Sequence, residues 1–533
     1  MKRLIISILI LSSVLFNGCV EKAVQSNKSE NTKDCIVYNI GELPKELIML
    51  TEYDVRQQDL LVNLFEGLVK TDEKGNIIPG ISDSWTISKD ETCYVFNIRE
   101  DAKWSDGNDI VADDFVDFFS KILSKDINNK FADQLYYVFG AAEYRQGKRE
   151  FNNVAIRAVD KKKLEIRLNY PCNYFLNILA EPIYSLRKIN ENLVDWKTAY
   201  KNILFTGSFI IDNVDKSNNI TLVKNNNYWN EDAIRSNKIL LTCINSSEAS
   251  LADFQSGSID IFTNPPISEV KSLNDSGEIS QLPSYNTESL VFNLNKDGVV
   301  KDVNFRKALA CYIDRNYITK EILSNTARSA LTYIPTGIGN GLNGLFTNKI
   351  YFNGDVEKDK ALEYMKKSKF NNSSESLKMI YIDTVENKKI CENISKNLRD
   401  NLGIKIECIG CSIDEFNDAI SKSDYDLAKV DFKGSYDYPL PFLERYSSMY
   451  SDNNYGYKNV QFDTILEKSK LERDKNKKIE LLKMAENTLY DDVPVIPIYF
   501  SDTVICKKKN IKDVYFTKEG NIKLDKVYID LEP

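Results

Sequence analysis

Cys408-Ile-Gly-Cys411 has the spacing in this chain best suited to chemistry. Two thiols three positions apart can cycle through a disulfide or supply half of a zinc site. Zinc would need two further ligands, and the chain has no histidine among its 533 residues. That absence also removes the usual general base and the Ser-His and Cys-His nucleophile pairs. Asp, Glu, Lys and Tyr remain, scattered without a paired motif. Ile404, Ile406 and Cys408 alternate as a strand does, so buried thiols are the expected state. Apart from Cys19, the other cysteines are Cys35, Cys93, Cys172, Cys243, Cys311, Cys391 and Cys506. Outside the cytoplasm they could pair, but they are irregularly spaced and, with the Cys408-Cys411 pair, odd in number. No catalytic role, no cofactor and no metal are expected.

The elements that would position any site follow from composition and pattern. The chain is 42% hydrophobic and 28% charged, enough for a large core and two to four domains. Its net charge of -8 and pI near 5.2 leave no basic stripe for nucleic acid. Tyr94 to Arg99 alternates as a strand, Ser105-Asp106-Gly107 is a turn, and Asp113 stands where it could cap a helix running to Phe119. Val154 to Leu168 reads as a hairpin. Helices are expected over 57–68, 304–323 and 388–402, with a long charged helical region over 463–489. Extended segments are expected over 35–40, 404–408 and 493–500.

Met1 to Cys19 is a targeting segment: Lys2 and Arg3 precede an apolar run that ends at Phe16-Asn17-Gly18-Cys19. A small residue before this cysteine resembles a bacterial lipoprotein signal, which implies lipidation at Cys19; plain secretion with another cleavage site, or an uncleaved anchor, is the alternative. Residues 20–34 are polar and read as a flexible tether. Either way the body is expected outside the cytoplasm.

Several short motifs run in one order along nearly the whole mature chain. They include Leu64-Phe-Glu-Gly-Leu68, Lys103-Trp-Ser-Asp-Gly107, Ala112-Asp-Asp-Phe115 and Asn227-Tyr-Trp229. Gly257-Ser-Ile-Asp260, Arg306-Lys-Ala-Leu309 and Asn454-Tyr-Gly-Tyr457 follow. In this company the chain resembles the extracytoplasmic solute-binding proteins of the peptide/nickel ABC-transporter family, most of all the oligopeptide-binding lipoproteins. The resemblance implies a mixed α/β, bilobed, type II periplasmic-binding-protein clamp with an inserted subdomain. Lobe one would take 35–71, 205–294 and 496–533, the subdomain 72–204, and lobe two 295–495. It further implies a monomer that holds an extended oligopeptide between its lobes and hands it to a membrane permease.

The site implied by the resemblance is carried over residue by residue. The acidic group that holds a peptide's amino terminus falls on Ser435, next to Tyr436. Asp437, on the same face of a strand as Ser435, either replaces it or is a turn residue before Tyr438-Pro439. Pocket aromatics fall near Asp117 and Ile413, and Tyr499 and Phe500 match two more. Groups for the ligand's carboxylate fall near Asn387 and on Lys429, which is otherwise a solvated strand residue. Asn264 matches an asparagine near the ligand, and the strand Glu288 to Phe292 is a candidate for main-chain pairing with it. A metal chelate, or a peptide sensed and not transported, are the alternatives within the binding class. A carboxylate-based hydrolase or a C-x-x-C redox protein is the alternative outside it.

Overall fold

Two long strands, Ile279–Phe292 and Val495–Lys507, run antiparallel through the middle of the protein. The computed structural model describes residues 35–531 except 52, 343, 371–375 and 451–452, so the expected signal and tether lie outside the described residues. The two long strands sit at the centre of an eleven-stranded sheet. On one flank lie Leu427–Lys433, Leu377–Ile382 and Ile406–Cys411. On the other lie Ile261–Thr263, Ile36–Asn39, Lys238–Thr242, Ile220–Lys224 and Phe209–Val214. The chain therefore builds one flank, crosses, builds the other and crosses back, which is the topology of a two-lobed clamp joined by two strands.

The crossing strands are made for burial and for bending. Val495-Ile-Pro-Ile-Tyr-Phe500 is apolar on both faces and wholly buried, as a strand covered on both sides must be. Their pairing slips between Pro283 and Thr287 and again between Glu288 and Ser289. Pro497, which cannot donate to the ladder, stands opposite Ser289 at the second slip. Such bulges bend a strand and re-aim its side chains.

A separate four-stranded antiparallel sheet forms the inserted subdomain, in the order Ser82–Ile87, Cys93–Ile98, Lys163–Arg167, Ile156–Asp160. The helix Ala112–Ile122 packs on it, burying Phe115, Phe118 and Phe119. Its cap differs from expectation. Val111 holds the cap position, and Asp114, not Asp113, accepts from the Val111 N–H at 2.9 Å. Asp114 also accepts from Trp104 Nε1 at 3.2 Å and pairs with Lys188 at 2.6 Å. Ser105 exchanges hydrogen bonds with the Phe205 backbone at 2.9 and 3.0 Å, and its carbonyl accepts from Asn227 Nδ2 at 2.9 Å. The Lys103–Gly107 motif thus rivets the subdomain to the chain that follows it.

Two expected helices are broken. The one over 304–323 ends at Tyr312, because Asp314 caps a new turn by accepting from the Tyr317 N–H at 2.8 Å. The buried Arg315 next to it donates to Pro497 and Asn353 carbonyls, which a continuous helix would carry out of reach. The 463–489 region is two helices, Val460–Leu471 and Lys475–Asp492, the second capped by Asp474. All nine described cysteines are free thiols.

Glu486 in the second of these helices is buried and accepts from the Tyr333 N–H at 3.1 Å and Asn348 Nδ2 at 2.9 Å. No cation pairs with it among the described residues, and burial pushes its carboxyl up from 4.5 to about 7. The folded protein thus holds a proton that the unfolded chain releases, and stability falls as pH rises from about 4.5 to 7. Glu486→Gln is expected to remove that slope and to raise stability at pH 8 by about 3 kcal/mol, with little change at pH 4.5. Melting curves of both proteins across that range check it.

Candidate ligand-binding site

The helix Val55–Leu64 starts at Asp54, which takes part in a capping box with Gln57, and this start faces a cavity. Arg56 is held inside by Asp59 at 3.2 Å and by the Gly520 carbonyl. The C-terminal segment is sewn to the same helix: Asn521 Nδ2 donates to the Val55 carbonyl at 2.9 Å and the Leu524 N–H to Asn63 Oδ1 at 2.9 Å. Helix and C-terminal segment are therefore tied together as one packed piece.

The cavity has a volume of about 960 Å³ and lies where the crossing strands bulge. Both flanks of the sheet and the inserted subdomain contribute walls. Ser284 and Asn286 stand in the first slip, with the Ser284 hydroxyl donating to the Ser501 carbonyl at 2.8 Å. Asn264, Pro265 and Pro266 follow the strand Ile261–Thr263, and Asn264 takes a left-handed φ of 54° while its N–H donates to Val504. Asn tolerates this conformation better than other side chains. Lys433 to Tyr436 run off the end of the strand Leu427–Lys433. The Gly434 N–H donates to the Tyr285 carbonyl at 3.0 Å, and the Phe442 ring occupies the space a Cβ on Gly434 would need.

Of the residues expected at a site, Asn264, Ser435, Tyr436 and Tyr499 line this cavity. Tyr436 is buried, stacked on Tyr174 at 5.7 Å. The others lie elsewhere. Asp117 is exposed on the outer helix of the subdomain, and Ile413 is 63% exposed at the start of the helix Ile413–Ser421. Asn387 closes the start of the helix Val385–Leu402, donating to the Ile382 carbonyl at 2.9 Å, while its neighbour Glu386 reaches the cavity. Lys429 is buried against Glu288, beneath Tyr499. Asp437 is clasped by Lys518 at 2.6 Å and by the Gly339 N–H at 2.7 Å. Phe500 is core.

The expectation that Glu288 to Phe292 offers its main chain to a ligand is corrected. This strand is paired on both edges, with Leu427–Asp431 and with Val495–Tyr499, so its backbone groups are already taken.

Eight Asp or Glu residues line the cavity against four Lys or Arg. Asp502 is paired with Arg328 at 2.9 Å and Glu444 with Lys470 at 3.0 Å. Glu181 is different: only 7% exposed, it leaves Oε1 without a hydrogen-bond partner among the described residues. Burial, and then the neighbouring Glu519, push its carboxyl well above the usual range. Sequence reasoning missed it. The available signal was a single charged residue in the mostly apolar stretch Phe175 to Leu186.

Residues 76–454 match the family model for bacterial extracellular solute-binding proteins, family 5 Middle. The chain belongs to this family. Among family relatives, the oligopeptide-binding protein OppA of Bacillus subtilis is 29% identical over 98% of both chains. The pheromone receptor PrgZ, solved with its mode of peptide binding, is 26% identical with a TM-score of 0.79, covering 93% of this chain and 99% of that one. Haemophilus influenzae OppA in complex with the peptide RPPGFSPFR has a TM-score of 0.78 at 22% identity, over 94% of this chain and 99% of that one. These likenesses carry the type II binding-protein fold, and the family is one of solute-binding proteins. Among the described residues no helix is long and apolar enough to cross a membrane, and no group of His, Cys, Asp or Glu could hold a metal ion.

Proposed function

We propose that the protein captures oligopeptides between its lobes and delivers them to the permease of an ABC importer, as a monomer without enzymatic activity. We further propose that it is held to the outer face of the membrane by a lipid on Cys19. The lobes are taken as 35–71, 205–294 and 496–533 for the first and 295–495 for the second, with 72–204 inserted. The position of the four-stranded sheet within 82–167 supports that division.

The observation that carries the reading is the cavity at the bulged crossing. Its volume of about 960 Å³ is at the upper end of the ~300–1,000 Å³ usual for ligand pockets. Its walls mix main chain, amides and hydroxyls with Tyr436, Tyr450 and Tyr499. Such walls can bond a peptide's backbone while water fills the space round its side chains, so affinity does not depend on reading one sequence. The crossing strands provide the hinge for closure. The likeness to an oligopeptide-binding protein and to a peptide-binding pheromone receptor supports the same ligand class.

Native mass spectrometry of protein purified from its own host is expected to show co-purified peptides, and added peptides are expected to raise the melting temperature. Recovery of a metal chelate or a sugar in their place would overturn the peptide reading. Turnover of peptides with no thermal shift would replace it with an enzyme.

A further inference from the structure

Glu181 follows the helix Phe175–Leu179 and opens the short turn Pro182–Tyr184 in the subdomain, at the edge of the cavity. Its backbone N–H is satisfied by the Ile178 carbonyl, but its side chain is not settled. Gln134 bonds the carboxyl, and Gln134 is itself held by the Tyr184 hydroxyl at 2.8 Å. Oε1 has no partner, and no Lys or Arg lies within ion-pair distance among the described residues. A buried carboxyl left so is destabilising unless something completes it. The groups that act on it are Glu519 from the C-terminal segment, Asp133 from the subdomain and Lys433 from the second lobe. Glu519 also lines the cavity, and burial raises its carboxyl too. Ser435, which lies in the same wall, carries no charge.

We propose that Glu181, with Glu519 facing it across the cavity edge, is the anchor for a cationic group of the ligand, a primary ammonium or a guanidinium. The inference rests on the peptide reading for the ligand and on the orphaned carboxyl for the site. The cation would satisfy Oε1 and offset the mutual opposition of the two acids. An ammonium at this place would supply the charge pairing that Ser435 lacks. The anchor residue would then come from the inserted subdomain, so that ligand binding draws all three parts of the protein together.

The test uses the full mature protein, Glu181→Gln and Glu519→Gln. The probes are pentaalanine, its N-acetyl form, and N-acetyl pentapeptides with a central Lys or norleucine, plus agmatine as a cation that is not a peptide. Glu181→Gln is expected to lose at least tenfold in affinity for cation-bearing probes, and none for N-acetyl peptides without a cation. Loss on N-acetylation identifies the ligand's amino terminus as the cation. Loss on changing Lys to norleucine identifies a side chain. Calorimetry in buffers of different ionisation enthalpy is expected to show more proton release by the wild type than by Glu181→Gln. Replacing a buried carboxyl that lacks a partner by an amide should not lower the melting temperature; if the variant nonetheless fails to fold, Glu519→Gln carries the same comparison with a smaller expected loss. Equal affinity of wild type and variants for every probe would overturn the proposal. Binding of agmatine by the wild type alone, with no peptide bound, would keep the cation site and discard the peptide reading. Binding of no probe by any of the proteins would discard both.

Discussion

Lys429→Met is expected to destabilise the protein by about 3–5 kcal/mol, whereas Lys429→Met with Glu288→Leu recovers most of that loss. Glu288 lies on the first crossing strand, and Lys429 on the strand paired with it. The Lys429 side chain is 3% exposed and that of Glu288 15%. Burial opposes both charges. Lys429 nevertheless stays protonated above its ordinary range because Glu288 faces it. Removing one partner strands the other charge among Cys391, Tyr499 and the strands. Removing both leaves an apolar layer of similar volume. Denaturant melts of the two singles and the double measure the coupling.

The same variants decide what Lys429 does for a ligand. Its ammonium lies 5.6 Å from the Tyr499 ring, and Tyr499 lines the cavity, so the ion pair is one layer behind the wall. A peptide carboxylate could reach Lys429 only by displacing Glu288. The stable double variant is therefore expected to bind peptides with a free carboxyl terminus within about twofold of wild type. A loss of tenfold or more in that variant would make Lys429 a ligand-binding residue.

How much could be read beforehand depended on distance along the chain. The strand, turn and helix from Tyr94 to Phe119 follow from spacing over a few residues, and the structure keeps them, Asp114 replacing Asp113 at the cap. The breaks at Asp314 and Asp474 were missed because apolar spacing continues through them, while capping by a single Asp ends the helix. The cavity was legible only in part. Its walls come from segments between Tyr53 and Glu519 brought together by two bulged strands. Family correspondence located Asn264, Ser435, Tyr436 and Tyr499, all in that wall. It could not locate Glu181, whose significance comes from what is missing around it once the chain has folded. Nor could it show what faces Asp437, since Lys518 lies 81 residues away.

That facing residue changes what Asp437→Ala should do. Asp437 follows the cavity-lining residues Lys433 to Tyr436 in the chain that leaves the strand Leu427–Lys433, but does not itself line the cavity. Lys518 stands in the C-terminal segment that is sewn to the helix Val55–Leu64. Their ion pair at 2.6 Å, with the Asp437 carboxylate only 9% exposed, joins segments that fall in different lobes on the proposed division and would part when the clamp opens. If the pair is a latch, Asp437→Ala and Lys518→Met each shift the population toward open forms. Each should then weaken all peptides alike by about 5- to 30-fold, for a contact of about 1–2 kcal/mol. The double variant should be no worse than either single, because the two changes break one contact. A terminus anchor behaves otherwise. Asp437→Ala would then weaken only peptides with a free amino terminus, leaving N-acetyl peptides unchanged, and Lys518→Met would tighten binding by freeing the carboxylate. Calorimetric affinities for one peptide and its N-acetyl form, across the three variants, separate the two. Small-angle scattering of the unliganded proteins adds a check that involves no ligand: a latch variant should be measurably more extended than wild type, and an anchor variant should not.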